Sequence, residues 1–379
     1  MTLTNLAKAP FPYWGGKSQA APAVWAALGD VPHLVDPFCG SLAVLLLRPH
    51  PCNRPYYSET VNDVDGLLVN ALRSLQLSPD ATADASSWYV SEADLVARQL
   101  AIVRWREERD LERLMADPAY HDPVIGGYWL WGMSCWIGSG FANGDGPWVV
   151  GADGRLTRQP KSGGVGKQLP HLSDTGQGVN RPQAREAGVG TGAGLALEDD
   201  GDSALIIPDD LVFHSFTMPE VKRWFQFLSA RLRHVRICNG DWRRVVTSGA
   251  AFTLPVRQGD GPAGIFLDPP YAASAGRASD LYTHDDLNVA HDAREWAIAH
   301  GDDKRFRIVF AGYAGEHGSA FADAGWREIE WFRDGWLRGG MGVQSANGHQ
   351  QDRERLFASP HCIKVELNDL PMFADWSEE

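Results

Sequence analysis

The stretch with the clearest chemical character is a short apolar run that ends in a carboxylate, two prolines and an aromatic ring. Gly264 to Leu267 predict a buried strand of a parallel sheet, and Asp268, Pro269, Pro270 and Tyr271 follow it directly. The prolines cannot donate hydrogen bonds to a continuing ladder, so the chain must leave the sheet there. Ligands bind at the carboxyl ends of strands in open α/β sheets. We therefore expect an acceptor carboxylate and a flat ring over a pocket, although the same residues would also suit an ordinary strand exit.

Two strands earlier in the chain carry complementary features at their ends. His33 to Leu47 predict a strand, a turn and an apolar helix, and the turn region contains Asp36, Phe38 and Gly40. A glycine turn that leads into a helix N-terminus is suited to receive a nucleotide-type cofactor. Roughly twenty residues further on, the next strand ends in Asp63, whose carboxylate is suited to accept hydrogen bonds from the two hydroxyls of a ribose.

Further acids follow these strand ends. We expect Asp65 to cap a helix from Gly66 to Leu75. A later strand, His234 to Cys238, runs into Asp241 and Trp242. Asp241 is placed to accept a hydrogen bond from the amino group of an adenine, and Trp242 to cover the adenine ring.

The amino-terminal segment offers one more candidate ligand contact, formed by Tyr13, Trp14, Gly15, Gly16 and Lys17. A Gly-Lys-Ser sequence suggests a phosphate-binding loop, but that motif requires a glycine at position 11, where this chain has a phenylalanine. The sequence thus argues against a nucleoside triphosphatase. Two adjacent glycines let the backbone approach a ligand closely, although they would also suit a plain turn before a helix.

Composition limits the class of protein. The 379 residues suffice for one large domain with an insertion, or for two domains. A formal charge of -13 argues against a protein that binds nucleic acid through its overall charge, but not against a DNA enzyme with a local basic surface.

Five scattered cysteines without Cys-x-x-Cys spacing argue against disulfide bonds and a zinc site, and we expect no metal. No apolar run approaches the ~18–20 residues of a membrane span, so we expect a cytoplasmic protein.

The segment from 76 to 202 differs in character from the rest of the chain. Its second half is rich in glycine and poor in apolar residues, and it is too long for an ordinary connecting loop in a compact domain. One interpretation is a disordered, solvent-exposed segment. The other is a loop that follows phosphates, since basic residues predominate there: Arg155, Arg158, Lys161, Lys167, Arg181 and Arg185.

Taken in order, these elements resemble the Dam-type DNA adenine-N(6) methyltransferases, which belong to the alpha group of amino-methyltransferases. Trp14 to Lys17 look like the family's N-terminal cofactor element, and Asp36 to Gly40 like its Phe-x-Gly element. Asn62 to Asp65 are similar to its second-strand acid, and Asp268 to Tyr271 to its catalytic tetrapeptide. The family often has a second glycine where this chain has Leu42, which narrows the cofactor turn.

The resemblance implies an α/β fold with a Rossmann-like methyltransferase sheet of seven mostly parallel strands. Residues 1–75 and 203–379 would form the catalytic domain that binds S-adenosylmethionine. Residues 76–202 would be an inserted target-recognition region. The implied partner is double-stranded DNA, and the implied source is a bacterium or a phage, with or without a restriction partner.

The implied reaction moves a methyl group from S-adenosylmethionine to the exocyclic amine of an adenine flipped out of the helix. The tetrapeptide Asp268 to Tyr271 is the implied catalytic element. Asp268 and the Pro269 carbonyl would accept the two hydrogens of the amine, and Tyr271 would stack on the base.

Several alternatives share parts of this pattern. The same tetrapeptide would serve N(4) methylation of cytosine, and RNA or a free nucleotide would be possible substrates. A cytosine carbon-5 methyltransferase would need Cys52 as its nucleophile, but Cys52 lies in a connection between strands and not at a strand end. The motifs of a zinc deaminase are absent. A catalytically silent DNA-binding module is the alternative of another class.

Overall fold

A seven-stranded sheet forms the centre of the protein in the computed structural model. The structure describes residues 10–11, 16–49, 57–88, 92–107, 110–135, 142, 148–150, 156–158, 218–247, 261–270, 288–331 and 354–364. The strands are β1 (His33–Asp36), β2 (Ser58–Asp63), β3 (Trp148–Val150), β4 (Leu156–Arg158), β5 (Val235–Asn239), β6 (Ala263–Leu267), β7 (Phe306–Tyr313), β8 (Arg327–Ile329) and β9 (Glu354–Ala358). β3 and β4 form a separate antiparallel pair, and the other seven strands form the large sheet.

The large sheet is parallel except for one strand. Its order is β5-β2-β1-β6-β7-β9-β8, and β9 alone runs against its neighbours. β1, β2 and β5 follow one another outward in one direction, and β6 and β7 in the other, where β9 then lies between β7 and the edge strand β8. The order therefore reverses between β1 and β6, which is where ligands bind in doubly wound sheets. The expected α/β architecture with seven mostly parallel strands is confirmed, and it is compatible with a Rossmann-like fold.

Helices connect and cover these strands. They are α1 (Ala21–Leu28), α2 (Ala43–Leu46), α3 (Gly66–Leu77), α4 (Pro79–Ser86), α5 (Glu92–Glu107), α6 (Asp110–Ala116), α7 (Pro123–Cys135), α8 (Met218–Leu232), α9 (Arg243–Thr247), α10 (Val289–Gly301) and α11 (Ala314–Asp323). Asp65 caps α3 as predicted, because its carboxylate accepts hydrogen bonds from the backbone N–H groups of Leu67 and Leu68. No helix among the described residues is long and apolar enough to cross a membrane.

Both faces of the sheet are covered by apolar side chains. Phe266 of β6 belongs to the core beneath α1, α3, α7 and α8, while its neighbours Ile265 and Leu267 belong to the core beneath α10 and α11. This alternation is what a strand buried on both faces requires. Gly264 permits a close approach in the same strand, since a Cβ atom there would lie 2.7 Å from Val31 Cγ2.

The helices that follow α3 share its core. Ile102, Leu114 and Trp129 lie in the same cluster of buried residues as Leu72. Arg73 is buried and donates hydrogen bonds to backbone carbonyls of 114, 117 and 120 on one side, and to the carbonyl of 237 in β5 on the other. The core thus extends across residue 75, where the sequence predicts a domain boundary. The division into a catalytic domain and a recognition insert stays a prediction.

A buried charge network lies near the amino ends of the central strands. Glu59 of β2 is 2.9 Å from Arg48 and 2.7 Å from Arg231 of α8. Arg48 is also sandwiched between the rings of Trp25 and Tyr57, each 5.2 Å from its guanidinium carbon. This network ties α8 and the end of α2 to the sheet, on the edge opposite the candidate site.

Candidate active site

The carboxyl edge of the sheet collects the acids that the sequence singles out. Asp36 ends β1, Asp63 ends β2, and Asp268 follows β6. Because β2, β1 and β6 are adjacent parallel strands, these three carboxylates lie along one edge at the point where the strand order reverses. Pro269 is buried and Pro270 partly exposed where the chain leaves the sheet.

Lys17 joins this edge from the segment before α1. Its ammonium nitrogen lies 2.9 Å from Oδ1 of Asp268 and 3.0 Å from Oε1 of Glu354, and its side chain is only 6% exposed. Lys17 is held in place because its backbone carbonyl accepts a hydrogen bond from Ala21 in the first turn of α1. The neighbouring Gly16 is exposed. The structure therefore brings together two residues that the sequence places in separate elements, Lys17 and Asp268.

Glu354 is a site residue that the sequence analysis missed. It is the first residue of β9 and is paired with Tyr313 at the end of β7. Since β9 runs in the opposite direction, its first residue lies at the carboxyl edge of its parallel neighbours. A glutamate at the start of a strand whose last three residues are apolar was the available signal, but it carries information only once the direction of the strand is known.

The ion pairs set the charge state of this edge. Burial alone would lower the pKa of Lys17, but the carboxylates of Asp268 and Glu354 outweigh it and hold that pKa above its ordinary value. Burial raises the pKa of Asp268 to about 6, against the opposing pull of Lys17 and with a further increase from Glu354. Near neutral pH Lys17 is therefore charged, and Asp268 is ionised at a cost in free energy.

Asp36 is the most deeply buried acid of the edge, at 2% exposure. Burial, and after it the negative charge of Asp268, raise the pKa of Asp36 well above the ordinary range. Among the described residues, none donates a hydrogen bond to Oδ1 of Asp36. An unsatisfied buried acceptor at a strand end is the kind of atom that a ligand donor would satisfy.

Asp63 and Gly40 form the turn next to Asp36. The N–H of Gly40 donates to Oδ2 of Asp63 at 3.2 Å, and the N–H of Asp65 donates to Oδ1 at 3.0 Å. Burial raises the pKa of Asp63 to about 7, although both of these hydrogen bonds oppose the shift. Its side chain is only half-buried, so each oxygen keeps lone-pair capacity for a ligand.

Leu42 adopts a backbone conformation that is uncommon for residues other than glycine. Gly40 has φ 46° and Leu42 has φ 64°, so both residues adopt the left-handed conformation that glycine prefers. Leu42 is fully buried, and it directly precedes α2. The chain thus keeps the turn conformation that a second glycine would give, at a strain cost on the order of 1–2 kcal/mol, and gains a buried leucine.

Asn62, to which the sequence analysis gave no role of its own, connects two turns of the site. The side-chain amide of Asn62 donates to the carbonyl of Pro37 at 3.1 Å and to that of Gly240 at 3.0 Å. It therefore links the turn after β1 to the turn after β5. The sequence signal was weak, because nothing but its place beside Asp63 distinguishes a buried asparagine in a strand.

The aromatic residues of the site are arranged in a row. Phe38 is partly exposed and lies 5.8 Å from Trp242, which lies 6.2 Å from Trp296. Trp242 is only 4% exposed and belongs to the core. Asp241 is exposed and accepts a hydrogen bond from the backbone N–H of Arg243 at 2.8 Å. The roles of Asp241 and Trp242 in holding adenine stay predictions.

Several predicted site residues lie outside the part of the chain that the structure describes. They are Tyr13, Trp14, Gly15, Tyr271, Arg155, Lys161, Lys167, Arg181 and Arg185. Arg158 is described only as a backbone position of β4, paired with Trp148. The predicted contacts of these residues with cofactor, base and phosphates stay predictions.

One group of side chains away from this edge has the composition of a metal site. His291 of α10 and Glu316 and His317 of α11 offer ligand atoms within 4.8 Å of one another. Arg294 donates to the carbonyl of Glu316 at 3.3 Å, and the positive end of α11 lies beside the group, which disfavours a cation. Burial, with Arg294 and His291, lowers the pKa of His317 to about 3, and the ring packs 5.0 Å from Phe310. We interpret the group as a packing contact, and the expected absence of a metal stays a prediction.

No protein-family model matches this sequence, and no curated protein is significantly similar to it. The function must therefore be inferred from the side chains themselves.

Proposed function

We propose that the protein is an S-adenosylmethionine-dependent DNA methyltransferase that modifies the exocyclic amine of adenine. The observation that carries the proposal is Asp268, an ionisable group held at the end of a central strand, at the reversal of the sheet, against a buried lysine. Its order in the chain relative to Lys17, the Gly40 turn and Asp63 supports the same function. The seven-stranded, mostly parallel sheet agrees with the architecture that the resemblance implies.

The turns after β1 and β2 fit the nucleoside part of such a cofactor. Asp63 has remaining acceptor capacity for ribose hydroxyls. The buried Oδ1 of Asp36 has no hydrogen-bond partner among the described residues, so a ligand could supply one. Gly40 lets the backbone approach a ligand closely, and Phe38 is the partly exposed ring beside it. S-adenosylmethionine, when bound, supplies a methyl group on a sulfonium, from which transfer to an amine is downhill.

The protein's own contribution to such a transfer is positioning and electrostatics. The exocyclic nitrogen of adenine is a poor nucleophile because its lone pair is conjugated into the ring. Asp268 can accept one hydrogen of the amine while Lys17 holds its Oδ1, and the Pro269 carbonyl can accept the other. Both acceptors favour a tetrahedral nitrogen and stabilise the positive charge that develops on it, and this charge is lost when one of the two amine hydrogens leaves as a proton to solvent. No covalent intermediate with the protein is required.

The DNA contacts of the proposal rest on the remaining predicted residues. An adenine within a duplex cannot reach the end of β6, so it must be flipped out, at a cost of a few kcal/mol. Stacking on Tyr271, worth about 1–3 kcal/mol, would offset part of that cost. The six basic residues between 155 and 185 would contact phosphates, which gives a local basic surface on a chain of net charge -13.

The charge state of Asp268 favours an enzyme over a silent DNA-binding module. A folded-state pKa of about 6 means that ionised Asp268 destabilises the fold at neutral pH. A carboxylate kept ionised at such a cost is typical of an active site, where amine activation would use it.

The proposal is tested by transfer of labelled methyl groups from S-adenosylmethionine to DNA from a methylation-free strain. We expect the wild-type protein to label this DNA and Asp268→Ala to lose labelling while still binding the cofactor in calorimetry. Asp302→Ala is the matched control, because the side chain of Asp302 is 99% exposed. Nuclease digestion and mass spectrometry would show N(6)-methyladenine, and N(4)-methylcytosine instead would favour the cytosine alternative. Full labelling by Asp268→Ala would refute the assignment.

A further inference from the structure

Lys17 is shared between two carboxylates, and only one of them belongs to the proposed catalytic element. Its nitrogen lies 2.9 Å from Asp268 and 3.0 Å from Glu354. The two carboxylate oxygens are thus at most about 6 Å apart, since both contact one atom. Glu354 is 7% exposed, and so it is an acid buried at the edge where we place the reaction.

We propose that Glu354 is a positioning residue for methyl transfer, which holds the ammonium of Lys17 between two carboxylates and so limits how far Lys17 neutralises Asp268. The inference rests on the proposed function and concerns the regulation of charge at the same site. It assigns a role to the reversed strand β9, whose first residue is the second partner of Lys17.

The backbone of β9 fixes the position of this glutamate. Antiparallel pairing with β7 runs from Glu354 opposite Tyr313 to Ala358 opposite Val309, so Glu354 cannot shift along the edge without breaking the ladder. The adjacent Arg355 contacts Glu328 and Glu330. A buried acid at this strand end is costly to desolvate unless it is paired, and the pairing with Lys17 accounts for its presence.

The charged groups near Asp268 come from several elements of the fold. Lys17 comes from the segment before α1 and Glu354 from β9; Asp36 of β1 also interacts with Asp268, and Asp63 of β2 interacts with Asp36. Removal of the Glu354 charge would remove a negative charge that raises the pKa of Asp268, and removal of the Lys17 charge would remove a positive charge that lowers it.

The two changes should shift the pH dependence of methyl transfer in opposite directions. We expect the wild-type turnover rate to rise with pH as Asp268 ionises near pH 6. Glu354→Gln should move this rise to lower pH by about one unit, because a like charge within ~6 Å is lost. At pH 5 the variant would then retain about five times more of its maximal rate than the wild type does. Lys17→Met should move the rise to higher pH.

The experiment measures the rate with saturating S-adenosylmethionine and unmethylated DNA from pH 5 to pH 9. Glu354→Asp keeps the charge and should retain the wild-type profile, even if its maximal rate is lower. Glu328→Gln removes an exposed glutamate from β8 and should leave the profile unchanged. A loss of packing alone would lower the rate at all pH values without shifting the profile.

Each outcome decides for or against the inference. An acid shift in Glu354→Gln supports it, whereas a profile identical to that of Glu328→Gln, an alkaline shift, or a flat wild-type profile overturns it. Should Glu354→Gln fail to fold by thermal melting, Lys17→Met decides, and the absence of an alkaline shift overturns the inference. If the wild type transfers no methyl groups, the proposed function itself fails. An active wild type with unshifted variants refutes the role of Glu354 alone.

Discussion

Replacing Asp268 by asparagine should remove the loss of stability that ionised Asp268 causes as the pH rises to neutral, and it should abolish methyl transfer. In the folded protein the pKa of Asp268 is raised from 3.8 to about 6, mainly by burial. A raised folded-state pKa contributes stability that is fully present below pH 3.8 and is lost as the pH rises through about 6. From the pKa values of the unfolded and folded states, the free energy of unfolding of the wild type should fall by about 2 kcal/mol between pH 4.5 and pH 7.5 because of Asp268. The asparagine side chain cannot ionise, so the variant does not show this decrease. The amide oxygen of the asparagine can still accept a hydrogen bond from Lys17.

The assay is urea unfolding of both proteins at the two pH values, followed by tryptophan fluorescence. The stability of Asp268→Asn relative to the wild type should increase by about 2 kcal/mol from pH 4.5 to pH 7.5. Groups that do not interact with Asp268 titrate alike in both proteins and cancel in this difference. The same relative stability at both pH values would refute the conclusion that Asp268 is a destabilising ionised group in the fold.

Three further changes test other parts of the account. At pH 8, above the raised pKa of about 7 of Asp63, Asp63→Asn should weaken S-adenosylmethionine binding about 10- to 100-fold in calorimetry, because hydrogen bonds to a charged acceptor are worth about 1.5–3 kcal/mol. Unchanged affinity would remove Asp63 from the cofactor site. Glu59→Gln should destabilise the protein by about 3–5 kcal/mol in urea unfolding, since it takes the carboxylate of Glu59 away from the buried Arg48 and the partly buried Arg231, and a neutral effect would contradict this. Gly264→Ala should cost about 1–3 kcal/mol, because its Cβ would lie 2.7 Å from Val31, and a wild-type melting curve would show that the site can relax.

The positions of the strand ends could be predicted from the sequence because local rules agree there. The apolar run before Asp268 is a strand, β6, and the prolines end it, as the loss of backbone donors requires. Asp65 caps α3 for the reason anticipated, a carboxylate that accepts from free N–H groups in the first turn. Parallel strands share one edge, so the meeting of Asp36, Asp63 and Asp268 also followed from the pattern.

The partners of Lys17 could not be predicted, because they depend on topology. The sequence pattern of the last strand indicates its location but not its direction, and a parallel β9 would place Glu354 at the opposite edge. Leu42 shows a second limit. The conformational preferences of single residues predict glycine at a left-handed position. Here a buried leucine adopts that conformation, because its packing in the surrounding core compensates for the strain.

The central claim is that the carboxyl edge between β1 and β6 transfers a methyl group to an amine of DNA. The most direct measurement is to express the wild type and Asp268→Ala in a methylation-free bacterial strain and to quantify modified bases in the genomic DNA by mass spectrometry. The account predicts N(6)-methyladenine in the strain with the wild type and none with Asp268→Ala at equal protein levels. Genomic DNA without any methylated base in the presence of folded wild-type protein would contradict it.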